Sequence, residues 1–149
     1  MDKKYITKNY KQTQKLGEDL AKKILKLPLQ KRAIILGLRG NLGGGKTTFL
    51  QGFAKGLKVK EKILSPTFVI LKHFKIINSK FTDFYHVDCY RINNVEEIME
   101  LGFKEIISNS KNIVAVEWSE RIRKILPKSA IEIDFKFIGV ETREIGFEM

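Results

Sequence analysis

The sequence predicts a three-layer α/β/α sandwich around a mostly parallel sheet, with an antiparallel hairpin or edge added to it. Short apolar runs at residues 33–38 (AIILGL) and 113–116 (IVAV), each bounded by charged or polar residues, read as strands buried on both faces, the habit of parallel sheets. Stretches with helical periodicity alternate with such runs along the chain, which is the pattern of helices laid on a sheet. Between the first run and a helical stretch lies Gly40-Asn41-Leu42-Gly43-Gly44-Gly45-Lys46-Thr47, which fits G-x-x-x-x-G-K-[ST].

Taken in order, residues 4–7 form a short strand, and Leu16, Leu20, Ile24 and Leu27 recur at helical spacing over residues 11–27 until Pro28 ends the helix. The strand at 33–38, the glycine-rich loop and a helix over 48–57 follow. In Ile63-Leu64-Ser65-Pro66-Thr67, Pro66 biases Ser65 to an extended conformation and marks a loop. Residues 68–77 and 81–88, rich in β-branched and aromatic side chains, flank Asn78-Ser79-Lys80 and read as a hairpin. Asn94 with Glu97 three residues on is a capping-box-like start for a helix carrying Ile98 and Leu101, stopped by Gly102; a second short helix runs to Ser108. The strand at 113–116 ends in Glu117-Trp118. Ile131, Ile133, Phe135 and Phe137 alternate with Glu132, Asp134 and Lys136, giving a strand with one wet face, expected toward a sheet edge, with residues 143–149 paired to it. The chain has no repeat, linker or low-complexity segment, and 149 residues make one domain, residues 1–149.

A single cysteine, Cys89, excludes an internal disulfide and makes a reducing compartment, the cytoplasm, the simplest expectation. No apolar stretch follows the lysines near the N-terminus and none approaches membrane-spanning length, so neither export nor insertion is expected. The formal charge is +11, yet 22 of the 28 basic residues are lysines scattered in blocks no longer than a pair. That distribution suits a diffuse attraction to RNA better than specific readout. With two histidines, His73 and His86, and one cysteine, a His/Cys zinc site lacks ligands.

The chemistry begins at the glycine-rich loop. A strand, a tight turn and a helix N-terminus aim backbone N–H groups and the positive end of a helix dipole at one spot, which favours phosphate. Glycines allow close backbone approach there and tolerate positive φ. Lys46 would reach the β and γ phosphates and Thr47 would ligate Mg²⁺. Hydrolysis or transfer also needs carboxylates on the metal side and a group that positions the nucleophile. Asp88 ends Phe84-Tyr85-His86-Val87 and Glu117 ends the 113–116 run, so in a parallel sheet both sit at the carboxyl edge where the loop opens. Either acid alone reads as a cap or turn residue; two of them beside this loop read as a site. His86 suits a packing or hydrogen-bonding role. Arg91 fits a phosphate contact or an ion pair with a nearby carboxylate equally well, and Trp118 suits core or interface, with partner contact open.

Four blocks then stand in order: residues 40–48 (GNLGGGKTT), 65–68 (SPTF), 86–91 (HVDCYR) and 116–118 (VEW). Together, at these spacings, they resemble the TsaE (YjeE) family, the bacterial ATPase component of the machinery that makes threonylcarbamoyl adenosine in transfer RNA. The resemblance spans nearly the whole chain, from Thr13-Gln14-Lys15-Leu16-Gly17 to Thr142-Arg143-Glu144. It implies a P-loop NTPase fold, ATP and Mg²⁺ as ligands, and assembly with the threonylcarbamoyl transferase subunit (TsaD) and its inactive paralogue (TsaB), through which transfer RNA is reached. By the same resemblance Gly40, Asn41, Leu42, Gly43, Gly44, Gly45 and Lys46 match the phosphate loop, with Thr48 closing the block, and Thr47 matches the metal ligand. Ser65 to Thr67 match a switch-like loop. Asp88 matches the Walker-B-type acid and Glu117 the acid near metal or attacking water, which with Lys46 gives three residues for the chemistry. Arg143 matches the family's C-terminal nucleotide-contacting arginine, and Thr13 falls near the base. The chain departs from the family where Asn41 replaces the usual Asp, Gly44 the usual Ala, and Ser119 a frequent Pro. None of these removes a phosphate or metal ligand, but Asn41 rules out a catalytic acid at that position.

No arginine is obviously placed as a finger, so the resemblance implies an ATPase that is slow alone and activated by its partners. A small-molecule kinase shares the loop and the length, but no arginine-rich lid segment is present. A nucleic-acid module that happens to bind nucleotide would rest on charge alone, and a guanine-nucleotide switch lacks an N-K-x-D segment.

Overall fold

The computed structural model describes residues 3–41, 44–63 and 70–148. In chain order the elements are β1 (Lys3–Thr7), α1 (Tyr10–Leu25), β2 (Ile34–Arg39), α2 (Lys46–Gly56), β3 (Leu71–Lys75), β4 (Asp83–Asp88), α3 (Val95–Met99), α4 (Phe103–Ser108) and β5 (Asn112–Glu117). A 3-10 segment (Ser119–Ile125), β6 (Ile131–Phe137) and β7 (Arg143–Glu148) complete the chain. One seven-stranded sheet has the order β1-β7-β6-β2-β5-β4-β3. Its centre, β6-β2-β5-β4, is parallel; β3 adds antiparallel to β4, and β7 and β1 add antiparallel on the other side.

Alternation along the central strands feeds two cores. Leu36, Leu38, Ile113 and Ala115 turn to one face and are covered by Phe49, Leu50 and Phe53 of α2 and Ala21 and Ile24 of α1. Ile35, Val114 and Val116 turn to the other and are covered by Ile98 of α3, Phe103 of α4 and Ile122. These are the three layers that the paired apolar runs predict. Phe49 and Phe53 are fully buried, each contributing about 1.5–3 kcal/mol of transfer free energy.

The crossing of α1 over α2 sets up the site. A Cβ on Gly52 would stand 1.8 Å from the Gln14 carbonyl oxygen, and one on Gly17 would stand 2.2 Å from that of Phe49. Only hydrogen at these positions lets the two backbones touch. The contact carries the start of α1, capped by Asn9 whose side chain accepts from the Gln12 N–H (2.9 Å), up to the N-terminus of α2.

Several boundaries differ from those the sequence predicts. Helix α2 begins at Lys46, two residues earlier than expected, because Gly45 takes a left-handed conformation (φ 98°) that starts the helix there. Helix α1 stops at Leu25, before Pro28. Helix α3, capped by Asn94, ends at Met99, leaving Leu101 exposed beyond it. Gly102 (φ 82°) caps α4 rather than only ending α3, and Glu97 accepts from the Asn93 N–H, one residue before the expected partner.

The larger correction concerns β6. It lies between β2 and β7, inside the sheet rather than toward its edge. Its alternation reports a face left uncovered by helices, which says nothing about hydrogen-bonded neighbours. On that face Arg39 forms a forked pair with Asp134 (2.7 and 2.8 Å) and also meets Glu132 (3.0 Å) and Glu148 (3.3 Å).

The expected hairpin forms from β3 and β4, with Asn78 at φ 56° in its turn. At its base burial works to raise the Asp83 carboxyl, but hydrogen bonds from Thr82 (2.6 Å), His73 (2.5 Å) and Lys75 (2.9 Å) outweigh it and bring the pKa from the usual 3.8 to about 2. A folded pKa below the unfolded one gives stability that is complete above pH 4 or so and lost as pH falls toward about 2. Asp83→Asn should therefore remove roughly 1 kcal/mol of stability at neutral pH, the figure discounted for the exposed Lys75 and His73. The wild type and variant should converge at about pH 2, as chemical denaturation from neutral pH downward will measure.

Candidate functional site

The carboxyl ends of β2, β5 and β4 lie level: Leu38 is in register with Glu117, and Glu117 with Asp88. Residues in register on neighbouring strands share a face, and Leu38 belongs to the core beneath α2. The two acids therefore stand on the side of the sheet from which α2 begins.

The loop joining β2 to α2 rests on β6. Gly40 (φ 134°) leaves its hydrogen where a Cβ would be 2.3 Å from the Phe135 carbonyl oxygen. The Gly44 N–H donates to the Asn41 carbonyl (3.1 Å), closing the turn. Gly45 caps α2 without a side-chain hydrogen bond, and the first helical bond runs from the Phe49 N–H to the Gly45 carbonyl. The amides of the first helical turn thus point out of the helix end toward the acids' side of the sheet.

Lys46, in that first turn, is only 5% exposed. Its ammonium donates to the Gly40 carbonyl and lies 4.0 Å from the centroid of the Trp118 ring. Burial pushes its pKa below the usual lysine value, while Glu117, Glu120 and Asp88 pull it back up. Asp88 is half-buried and accepts from the Tyr90 N–H (2.9 Å). Burial raises its carboxyl pKa; the Tyr90 bond opposes this and the Glu117 charge adds to it. Glu117 is buried and bonded through Oε2 to Nε2 of His86 (2.7 Å), itself 1% exposed. The hydrogen-bonding role expected of His86 is thus realised on a candidate catalytic acid.

Beside Gly45 a cavity of about 160 Å³ is lined by Tyr10, Thr13, Thr48, Val140 and Arg143. Thr13 is held by a buried hydroxyl pair with Thr7 (2.7 Å). Arg143 is fixed by bonds from one terminal nitrogen to the carbonyls of Gly139 (2.9 Å) and Thr142 (3.0 Å) and lies over the Phe137 ring (4.5 Å). Its Nε is buried without a partner among the described residues.

The structure therefore brings Lys46 together with Asp88 and Glu117, and gathers Thr13, Gly45, Thr48 and Arg143 around the neighbouring cavity. Thr47 is half-buried in the first turn of α2. Asn41 is exposed at the loop's turn, and Arg91 is exposed after β4. Leu42, Gly43 and the switch-like Ser65 to Thr67 fall outside the described residues. Sequence reasoning missed the place of Trp118. Its backbone is left-handed (φ 58°), and its ring sits under the Lys46 ammonium with Tyr90 5.1 Å away. A tryptophan directly after a strand-end acid was the available signal, but a left-handed non-glycine residue has no sequence signature. Phe135, which backs the loop, was legible only as a strand residue.

A sheet with a parallel centre whose strand ends present a glycine-rich turn, the first turn of a helix with its lysine, and two acids is the architecture of a three-layer α/β/α protein. Residues 7–145 match the family model described as "Threonylcarbamoyl adenosine biosynthesis protein TsaE". The chain belongs to the TsaE family, proteins of tRNA threonylcarbamoyladenosine biosynthesis.

It is 37% identical over 139 residues to the tRNA threonylcarbamoyladenosine biosynthesis protein TsaE of Rickettsia felis, covering 93% of this chain and 75% of that one. It is 39% identical over 113 residues to the protein of the same name from Bacillus subtilis, covering 76% and 68% respectively. The crystal structure of Bacillus subtilis YdiB superposes with a TM-score of 0.72 at 29% identity, covering 99% of this chain and 84% of that one. Among the described residues no helix is long and apolar enough to cross a membrane.

Proposed function

We propose that this chain is the ATP-binding and ATP-hydrolysing subunit of the tRNA N6-threonylcarbamoyladenosine machinery. It works in the cytoplasm with the threonylcarbamoyl transferase subunit (TsaD) and its paralogue (TsaB), and reaches transfer RNA through them. The observation that carries the reading is the meeting of Lys46, Asp88 and Glu117 at the strand ends beside a loop whose Gly40 has no room for a Cβ.

In this reading the first-turn amides of α2 take phosphate oxygens, and the Lys46 ammonium leaves the Gly40 carbonyl for the β and γ phosphates. The cavity beside Gly45 takes the base and sugar, with Thr13 and the fixed Arg143 guanidinium along its wall. The Thr47 hydroxyl and the carboxylates of Asp88 and Glu117 form a hard oxygen donor set of the kind Mg²⁺ prefers. Among the described residues no group of three or more His, Cys, Asp or Glu side chains could hold an ion alone. Bound there, Mg²⁺ would neutralise charge developing on the phosphates. Asp88 and Glu117 divide the work of holding the ion's side of the site and orienting the attacking water.

In this reading turnover by the isolated chain should be slow. Addition of the transferase and its paralogue should raise it by about tenfold or more, on the scale by which supplied groups accelerate phosphoryl transfer. Steady-state release of phosphate from Mg·ATP, with and without the pair, tests this. An unchanged rate counts against the partnership, and a metabolite phosphorylated faster than water would make the chain a kinase instead.

A further inference from the structure

The geometry points to His86 as a positioning residue for Glu117: its Nε2–H fixes one carboxylate oxygen and leaves the other to the site. This rests on the ATPase reading above and adds to it a residue that itself touches neither nucleotide nor water.

His86 lies two residues before Asp88 on β4, so the two side chains share a face of the sheet. In register it stands opposite Ala115, and Glu117 lies two residues further along β5. The small Ala115 side chain leaves room for the imidazole to lean along the strand direction and reach Glu117 diagonally, a distance that long or aromatic side chains span. The bond is 2.7 Å and both partners are buried, at 1% and 4% exposure. As a carboxylate Glu117 can only accept, so Nε2 carries the hydrogen.

A core position filled for volume alone has cheaper occupants than histidine. Phe84 and Val87 lie fully buried on the same strand, whereas His86 brings a ring nitrogen, Nδ1, that finds no hydrogen-bond partner among the described residues. An unsatisfied buried polar atom is unfavourable. What the imidazole adds over a phenyl ring is the single donor aimed at Glu117. Without it the Glu117 side chain, with three rotatable bonds, would sample other rotamers, and misplacing a reacting group by an ångström is enough to slow chemistry severely.

The test uses the chain assembled with the transferase pair and compares three substitutions. A glutamine amide reaches the position of Nε2 and an asparagine amide only that of Nδ1, while leucine fills the volume with no donor. His86→Asn and His86→Leu should lower kcat for ATP by about tenfold or more with KM and ADP affinity changed by less than about threefold, and His86→Gln should recover to within about threefold of wild type. Because His86 acts through Glu117, adding His86→Asn or His86→Leu to Glu117→Gln should slow turnover no further. The leucine variant carries the comparison if the asparagine variant does not fold.

Equal damage from glutamine and asparagine, a rise in KM that accounts for the loss, or additive losses in the double variant would each overturn the positioning role while wild type still turns over. Absence of ATP turnover by the wild-type assembly would overturn the ATPase reading and this inference with it.

Discussion

Lys46→Ala is expected to lower affinity for ATP and ADP by about 10- to 150-fold, the range set by removing a hydrogen bond to a charged group. The fold should survive the change. In the protein alone the ammonium is buried against a carbonyl and the face of Trp118, with its pKa lowered by that burial. Its removal relieves that desolvation but also takes away the positive charge facing Glu117, Glu120 and Asp88, so the two effects oppose and the melting temperature of the variant should stay close to that of wild type. Loss of affinity with a nearly unchanged melting temperature is the signature of a lysine kept for its ligand. Calorimetric titration with Mg·ADP, beside thermal unfolding of the same preparations, measures both. Affinity within about threefold of wild type would remove Lys46 from the phosphate site.

What the sequence could disclose about this site follows from what kind of order carries it. The loop, Lys46 and Thr47 are contiguous and obey a spacing rule, so they were legible as a phosphate cradle. Glu117 was legible as a strand-end acid because the apolar run before it reads as a buried strand, and Asp88 because the aromatic and β-branched stretch before it reads as the second arm of a hairpin. Their adjacency, Asp88 beside Glu117, depends on the register of β4 with β5, which no local pattern encodes. The bond from His86 to Glu117 is diagonal across that same register, and so was invisible until the strands were paired. The position of β6 failed for a related reason. Alternating Ile131, Ile133 and Phe135 tell how one face is covered, whereas edge or interior placement is a matter of partners elsewhere in the chain. Trp118 shows a third limit. Its left-handed backbone turns the chain at the end of β5 and puts the ring beneath Lys46, a conformation imposed by packing against propensity.

Glu117→Gln should give the opposite dissociation of effects: nucleotide affinity within about threefold of wild type, and turnover by the assembled complex lower by about 100-fold or more, the scale of a lost general base or water-orienting group. Glutamine is the informative replacement. Its amide oxygen can still accept from the His86 Nε2–H at the position where Oε2 now lies 2.7 Å away, so the buried histidine keeps its partner. Alanine would strand that donor in a site that is almost fully buried, and part of any loss would then be unfolding. Removing the negative charge also relieves Asp88, whose carboxyl is raised first by burial and further by Glu117, so Asp88 should become more readily ionised in the variant. That change offsets the lost Glu117 carboxylate on the metal side while the chemical step fails. Single-turnover measurements place the defect: an intact binding phase followed by slow phosphate formation assigns Glu117 to the chemistry. If Glu117→Gln and Lys46→Ala weaken binding equally, the two residues do the same job, and the separation of a phosphate-holding end from a water-activating end of the site is wrong.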